Sequence, residues 1–205
     1  ITASEPVELR WEPVLRSRMS AMRKGKFLLT GLPGSGKSTV MRRCLERLRK
    51  LGFTVGGIAT PEIRVKGRRV GFSVVDLASG RRAVLAGVEV ASRFRVGRYG
   101  VNVAGFESVA LPALDHAEAS CDVVGIDEIG RMELFSRPFE RKVEELIRGP
   151  KPIIAVVHRS YVAAYRKSGE LFYVSPDNRE RLAHLIARRM EEHLKANASR
   201  YLKRG

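Results

Sequence analysis

The sequence predicts a three-layer α/β/α arrangement on a mostly parallel sheet, with an antiparallel β-meander inserted at one edge. Three observations carry that expectation. From Lys26 onward, short apolar runs alternate with helical stretches, and three of the runs lack polar alternation, as strands covered on both faces do. A glycine-rich turn joins the first run to the first helical stretch. Between the second and third runs, hairpin signals at Lys66-Gly67 and Ser79-Gly80 stand where a crossover helix would otherwise be.

In order, the apolar runs are "KFLLT", "FTVGGIAT", "DVVGID", "PIIAVVH" and "LFYVS". The first helix follows "KFLLT" and carries the stripe Val40, Met41, Cys44, Leu45, Leu48 at helical spacing. The meander is expected over about residues 60–105, where Arg64, Arg68, Arg69, Arg81 and Arg82 read as the charged guard of a solvated edge. Further helices are expected over about Glu107–Ala119, Met132–Ile147 and Tyr161–Ser168, and from Pro176 into the tail, with Ser175 as N-cap and Pro176 at the first helical position. Residues 1–24 form an extension in which Ser4 precedes a possible short helix that Pro13 interrupts, and residues 25–205 read as one domain.

Composition narrows the classes. With 205 residues, 44% hydrophobic and 29% charged, the chain has material for one full core and is not a disordered protein. No run approaches the roughly 20 apolar residues of a spanning helix, and the N-terminal stretch lacks the apolar centre of a secretion signal. A cytoplasmic monomer is the default expectation. Cys44 and Cys121 have no histidine at metal-ligand spacing, which speaks against zinc and redox chemistry. The formal net charge of +16 admits a nucleic-acid partner, yet basic residues are spread along the whole chain, and abundant arginine without any glutamine fits a heat-adapted surface.

The chemistry begins at "GLPGSGKS", which matches G-x-x-x-x-G-K-[ST] at Gly31, Gly36, Lys37 and Ser38. Glycines at Gly31, Gly34 and Gly36 allow successive N–H groups to turn inward around a phosphate, and the helix start adds its partial positive charge. Lys37 would reach the β- and γ-phosphates, and the Ser38 hydroxyl would ligate Mg²⁺. Such an ion needs a carboxylate at the end of a second buried strand, and "CDVVGIDEIG" offers Asp127 as the metal ligand. Glu128, next in the chain, is placed to deprotonate an attacking water. A phosphate loop paired with an acidic doublet is typical of the ASCE (RecA-like) P-loop NTPases, in which a further strand separates the two. "PIIAVVH" would be that strand, leaving His158 either to sense the γ-phosphate or simply to cap the strand end. Arg131 and Arg159 are the nearest cations in sequence for the developing phosphoryl charge, and slow turnover is expected without a strong arginine finger.

Together "LTGLPGSGKST", "EIRVKGRRVGFSVVDLASG", "VGRYGVNVAGFESVALPAL" and "VVGIDEIGRMELFSRPF" resemble the nucleoside-triphosphatases first described in thermophiles, whose relatives include the human cancer-related nucleoside-triphosphatase. The resemblance extends from about Gly25 to about Arg189. It implies Mg²⁺-dependent hydrolysis of ATP, GTP, CTP and UTP to the diphosphate, with weak base preference. It also implies nucleotide contacts on Gly31, Leu32, Pro33, Gly34, Ser35, Gly36, Lys37, Ser38 and Thr39, and on Val123, Val124, Gly125, Ile126, Asp127, Glu128, Ile129 and Gly130. Two other classes compete: a kinase acting on a nucleotide, nucleoside or RNA end, and a nucleic-acid-binding module switched by NTP, the latter motivated by charge alone.

Overall fold

The computed structural model describes residues 25–202, with side chains through residue 197. The extension before Gly25 and the helix expected near Ser4 lie outside the described residues.

One ten-stranded sheet organises the described residues. Its parallel part contains β1 (Lys26–Thr30), β2 (Val55–Ala59), β8 (Val123–Ile129), β9 (Ile153–Val157) and β10 (Glu170–Tyr173), in the spatial order β10-β1-β9-β8-β2. The meander continues from β2 through antiparallel pairings of β3 (Glu62–Val65), β4 (Arg68–Asp76), β5 (Arg82–Gly87), β6 (Arg95–Val96) and β7 (Tyr99–Val101). Both hairpin signals are turns. Lys66 and Gly67 have φ of 48° and 77°, the paired positive angles of a two-residue hairpin, and the Asp76 carboxylate accepts from Ala78 N at 2.9 Å to shape the second turn.

Both faces of the parallel part are covered, which is why its strands read as apolar runs. Phe27 and Leu29 of β1 pack with α1 (Lys37–Lys50) and α5 (Arg179–Leu202), whereas Leu28 between them packs with α2 (Val103–Ser120) and α3 (Arg137–Arg148). The expected stripe on α1 is buried at every position from Val40 to Leu48. Cys44 is one of its members, and burial pushes its thiol up to about 12, so it is an inert core group.

Four helix expectations need correction. α2 starts at Val103, four residues before Glu107, because the Asn102 side chain caps it by accepting from Gly105 N at 3.0 Å. The stretch expected as one helix from Met132 breaks into a 3₁₀ turn, Glu133–Phe135, and α3, because Ser136 takes a β conformation and caps the second piece. The stretch from Tyr161 is a 3₁₀ turn, Arg159–Tyr161, and one helical turn, α4 (Val162–Tyr165). At the tail, Pro176 sits in a turn rather than at the first helical position. Asn178 accepts from Ser175 N at 2.9 Å there, and α5 begins only at Arg179. No helix among the described residues is long and apolar enough to cross a membrane.

Candidate active site

The C-terminal ends of the parallel strands bring the two sequence motifs together, as expected for ligand sites in open α/β sheets. Gly31 to Gly36 connect β1 to α1, and Gly36 has φ 97°, an angle that costs a residue with a Cβ but not glycine. Lys37 folds back over this turn: its ammonium donates to Leu32 O at 3.0 Å and Gly31 O at 3.2 Å. The Ser35 hydroxyl is buried in the same turn with no hydrogen-bond partner among the described residues, an orphan that a phosphate oxygen would satisfy.

Strand β9 lies between β1 and β8, so the carboxylate strand is the second neighbour of the phosphate-loop strand. Asp127 is 7% exposed on β8, with the Ser38 hydroxyl close enough to favour its charged form. Burial raises its carboxyl to about 6, the neighbouring Glu128 charge pushes the same way, and Ser38 and Lys37 oppose them. Burial also raises Glu128, again against Lys37. Ser38 and Lys37 therefore both bear on Asp127, and Lys37 on Glu128, at one strand edge. Strand β8 runs on to Ile129, so the two acids lie within the strand's last turn of residues rather than beyond its end, and the peptide between them is cis. Val123, Val124, Ile126 and Ile129 are 0% exposed and part of the core, so they position the acids without offering surface to a ligand. Asp127 and Glu128 are left as the side chains of that stretch with ligating atoms, and Glu128 is the one residue of it that is not buried.

A third carboxyl joins them that the motifs did not announce. Glu133 is 4% exposed at the start of the 3₁₀ turn after β8. A Cβ added to Gly130 would stand 2.7 Å from Glu128 Oε1 and 2.9 Å from Glu133 Oε2, so the two carboxyl groups close in on Gly130 from either side. Burial pushes the Glu133 carboxyl up to about 8, with the charges of Glu128 and Asp127 adding to the effect and the backbone N–H groups of Glu133 and Gly130 opposing it. Its one signal in the sequence is an acid alone among Met132, Leu134 and Phe135.

His158 follows directly on the end of β9, its N–H donating to Ile129 O at 3.0 Å. The side chain caps the following turn, with Nδ1 accepting from Ser160 N at 3.3 Å, which leaves the proton on Nε2. Burial, then Lys37, then Arg159 hold the ring below its ordinary range and keep it neutral. Arg131 and Arg159 are both exposed. Among the described residues no group of three or more His, Cys, Asp or Glu is arranged to hold a metal. A cation here would rest on Ser38, Asp127 and the oxygens of its ligand, the sparse protein donor set of Mg²⁺ in phosphate sites.

Comparison with known proteins agrees with this geometry. The NTPase family matches residues 26–187. The nucleoside-triphosphatase THEP1 of Methanothermobacter thermautotrophicus is 49% identical over 159 residues, covering 77% of this chain and 91% of that protein. THEP1 of Korarchaeum cryptofilum is 38% identical over 87% of this chain and 93% of its own. Among solved structures, THEP1 from the hyperthermophile Aquifex aeolicus superposes with a TM-score of 0.69 at 31% identity over 78% of this chain and 96% of that one. A human cancer-related nucleoside triphosphatase gives 0.65 at 36% identity over 78% and 93%. The chain thus has the P-loop NTPase fold, belongs to the THEP1 family of nucleoside-triphosphatases, and is an enzyme that hydrolyses nucleoside triphosphates.

Proposed function

We propose that the chain cleaves the β–γ anhydride of ATP, GTP, CTP and UTP with little base preference, using Mg²⁺ and with Glu128 as the general base. The observation that carries the reading is the convergence of the Ser38 hydroxyl and the Lys37 ammonium on the two acids at one strand edge, both favouring the charged form of Asp127 and Lys37 that of Glu128.

Each residue has a step. The loop from Gly31 to Thr39 holds the phosphates through its main chain, and Lys37 exchanges the Gly31 and Leu32 carbonyls for β- and γ-oxygens. Ser38 and Asp127 would hold Mg²⁺, which when bound supplies positive charge to the β,γ-phosphate oxygens. Glu128 takes a proton from a water aligned behind the γ-phosphorus. The water oxygen bonds to phosphorus as the bridging oxygen leaves with the diphosphate, giving NDP and phosphate. Nε2–H of His158 faces the same reaction as a donor to the γ-phosphate or the water. With Arg131 and Arg159 exposed, charge compensation rests mainly on Lys37 and the cation, and turnover is slow.

The test is phosphate release with no acceptor present, across the four triphosphates and a Mg²⁺ titration. A strict kinase would stay at background. Glu128→Gln should bind nucleotide as the wild type does and lose roughly 10²- to 10⁴-fold in kcat. Retained turnover would assign the water to another group.

A further inference from the structure

The metal end of the site lies toward β8, two strands from β1 on the side of β9. Parallel strands stand about 4.8 Å apart, so a polyphosphate running across the loop from that end leads its nucleoside toward the opposite neighbour of β1, which is β10. That side of the loop has features that neither the fold nor the phosphate loop explains.

Tyr173 closes β10 at the last parallel rung, opposite Thr30, and is 66% exposed, although an aromatic ring of its size is ordinarily covered. Leu32, in the loop itself, is 65% exposed. The chain beyond Tyr173 is tied to the phosphate loop: Val174 N donates to Thr30 O at 2.7 Å, and Val174 O stands 2.4 Å from where a Cβ on Gly31 would be. The turn that follows is braced by Asn178, whose side chain donates to Tyr173 O at 2.9 Å and accepts from Ser175 N at 2.9 Å. A rigid segment therefore carries an open aromatic ring up to the loop's outer side.

The same turn delivers Arg179 against the loop. A Cβ on Gly36 would lie 3.1 Å from Arg179 Cδ and 3.8 Å from its Nη1. Gly36 is the N-cap of α1, so a guanidinium rests where a helix is already partly positive. Its carboxylate neighbour Glu180 is 3.9 Å away and is held by Arg43 through the other oxygen. Two positive ends facing each other repel unless an anion lies between them, and the anion that reaches this point is the phosphate nearest the ribose.

We infer that the Tyr173–Arg179 segment is the nucleoside side of the site, with the Tyr173 ring stacking on the base and the Arg179 guanidinium gripping the phosphate that carries the ribose. The inference rests on the nucleotide reading given above and deepens it. A ring and a guanidinium offer any base a flat face but no pattern of donors and acceptors, so this contact explains why a single site takes purines and pyrimidines alike.

Calorimetric titration of the full chain with ADP, UDP and inorganic pyrophosphate, each with Mg²⁺, separates the two roles without requiring turnover. Tyr173→Ala should weaken ADP about tenfold, weaken UDP less because its base is smaller, and leave pyrophosphate unchanged, while Tyr173→Phe keeps wild-type affinities. Arg179→Ala should weaken all three ligands by a similar factor, with Arg179→Lys recovering part of it. Unchanged ADP affinity in Tyr173→Ala overturns the stacking role, and so does an equal loss of ADP and pyrophosphate. Unchanged pyrophosphate affinity in Arg179→Ala overturns the phosphate role. Wild-type protein that binds ADP as described but releases no phosphate from any triphosphate would sink the hydrolase reading and leave this one standing.

Discussion

Strand β1 buries a polar side chain at each end, and the two ends are treated differently. At its start, Lys26 is 1% exposed, yet its ammonium donates to the carbonyls of Leu146, at 2.7 Å, and Lys151. At its finish, the Thr30 hydroxyl is buried with no partner among the described residues, as is that of Ser35 five residues on, and the buried carboxyls of Asp127 and Glu128 lie within reach of the Lys37 charge. The first end is complete within the protein, and the second becomes complete only with a ligand. Buried polar groups alone thus do not mark a site, since Lys26 is as buried as any. Lack of satisfaction marks it.

The comparison breaks most severely if the second end proves self-sufficient. Lys37→Ala should reduce kcat/KM for every triphosphate by at least about 10², measured as phosphate release, while the thermal midpoint of the free protein changes little because its two carbonyl partners are solvent-accessible turn groups. Near wild-type kinetics would mean that the ammonium serves the fold.

A second consequence concerns pH. Glu133 holds its proton up to about 8 in the folded chain, whereas an exposed glutamate loses it near 4.5. The folded state therefore binds the extra proton between those values, and stability falls as pH rises through that window, by up to about 1.4 kcal/mol per pH unit from this group. Asp127, raised to about 6, adds the same sign at the lower end. Ligand-free protein should thus melt at a higher temperature at pH 5 than at pH 8, and Glu133→Gln should flatten the difference. An equal slope in that variant would locate the effect elsewhere.

The opposite end of β1 predicts stability without activity. Lys26→Met leaves the Leu146 and Lys151 carbonyls unpaired and should cost about 1–3 kcal/mol in denaturant unfolding, with kcat/KM unchanged at temperatures where the variant is folded. The smallest effect belongs to a cap remote from both ends. Asn102→Ala should cost about 1 kcal/mol by exposing the first turn of α2. Loss of activity beyond that of stability would tie α2 to the reaction.

What the sequence made legible follows the same division. The phosphate loop, the acidic doublet and the position of "PIIAVVH" between their strands were readable because each depends on a few adjacent residues. The apolar runs were readable because strands covered on both faces show no alternation. Helix starts are less so: Asn102 caps α2 ahead of the periodic stretch, Ser136 cuts a periodic stretch that looks continuous, and Asn178 holds Pro176 in a turn. Glu133 gives only the faint signal of an acid among apolar residues, and Tyr173 and Arg179 give none, because Thr30 and Gly36, which they lie against, are far along the chain. A buried acid, an open ring and a misplaced cation are properties of neighbourhoods rather than of local spacing.

The sheet's free borders carry one last implication. Among the described residues it stops at β10, a four-residue strand whose Glu170 is clasped by Arg189, at β6, only two residues long with Arg95 in it and Arg98 close behind, and at β3, four residues with Glu62 and Arg64 paired on it. Borders that short and that charged give a neighbouring molecule almost no backbone to zip onto, so crowded copies of this protein resist fibril-like stacking even though each carries a sheet of ten strands.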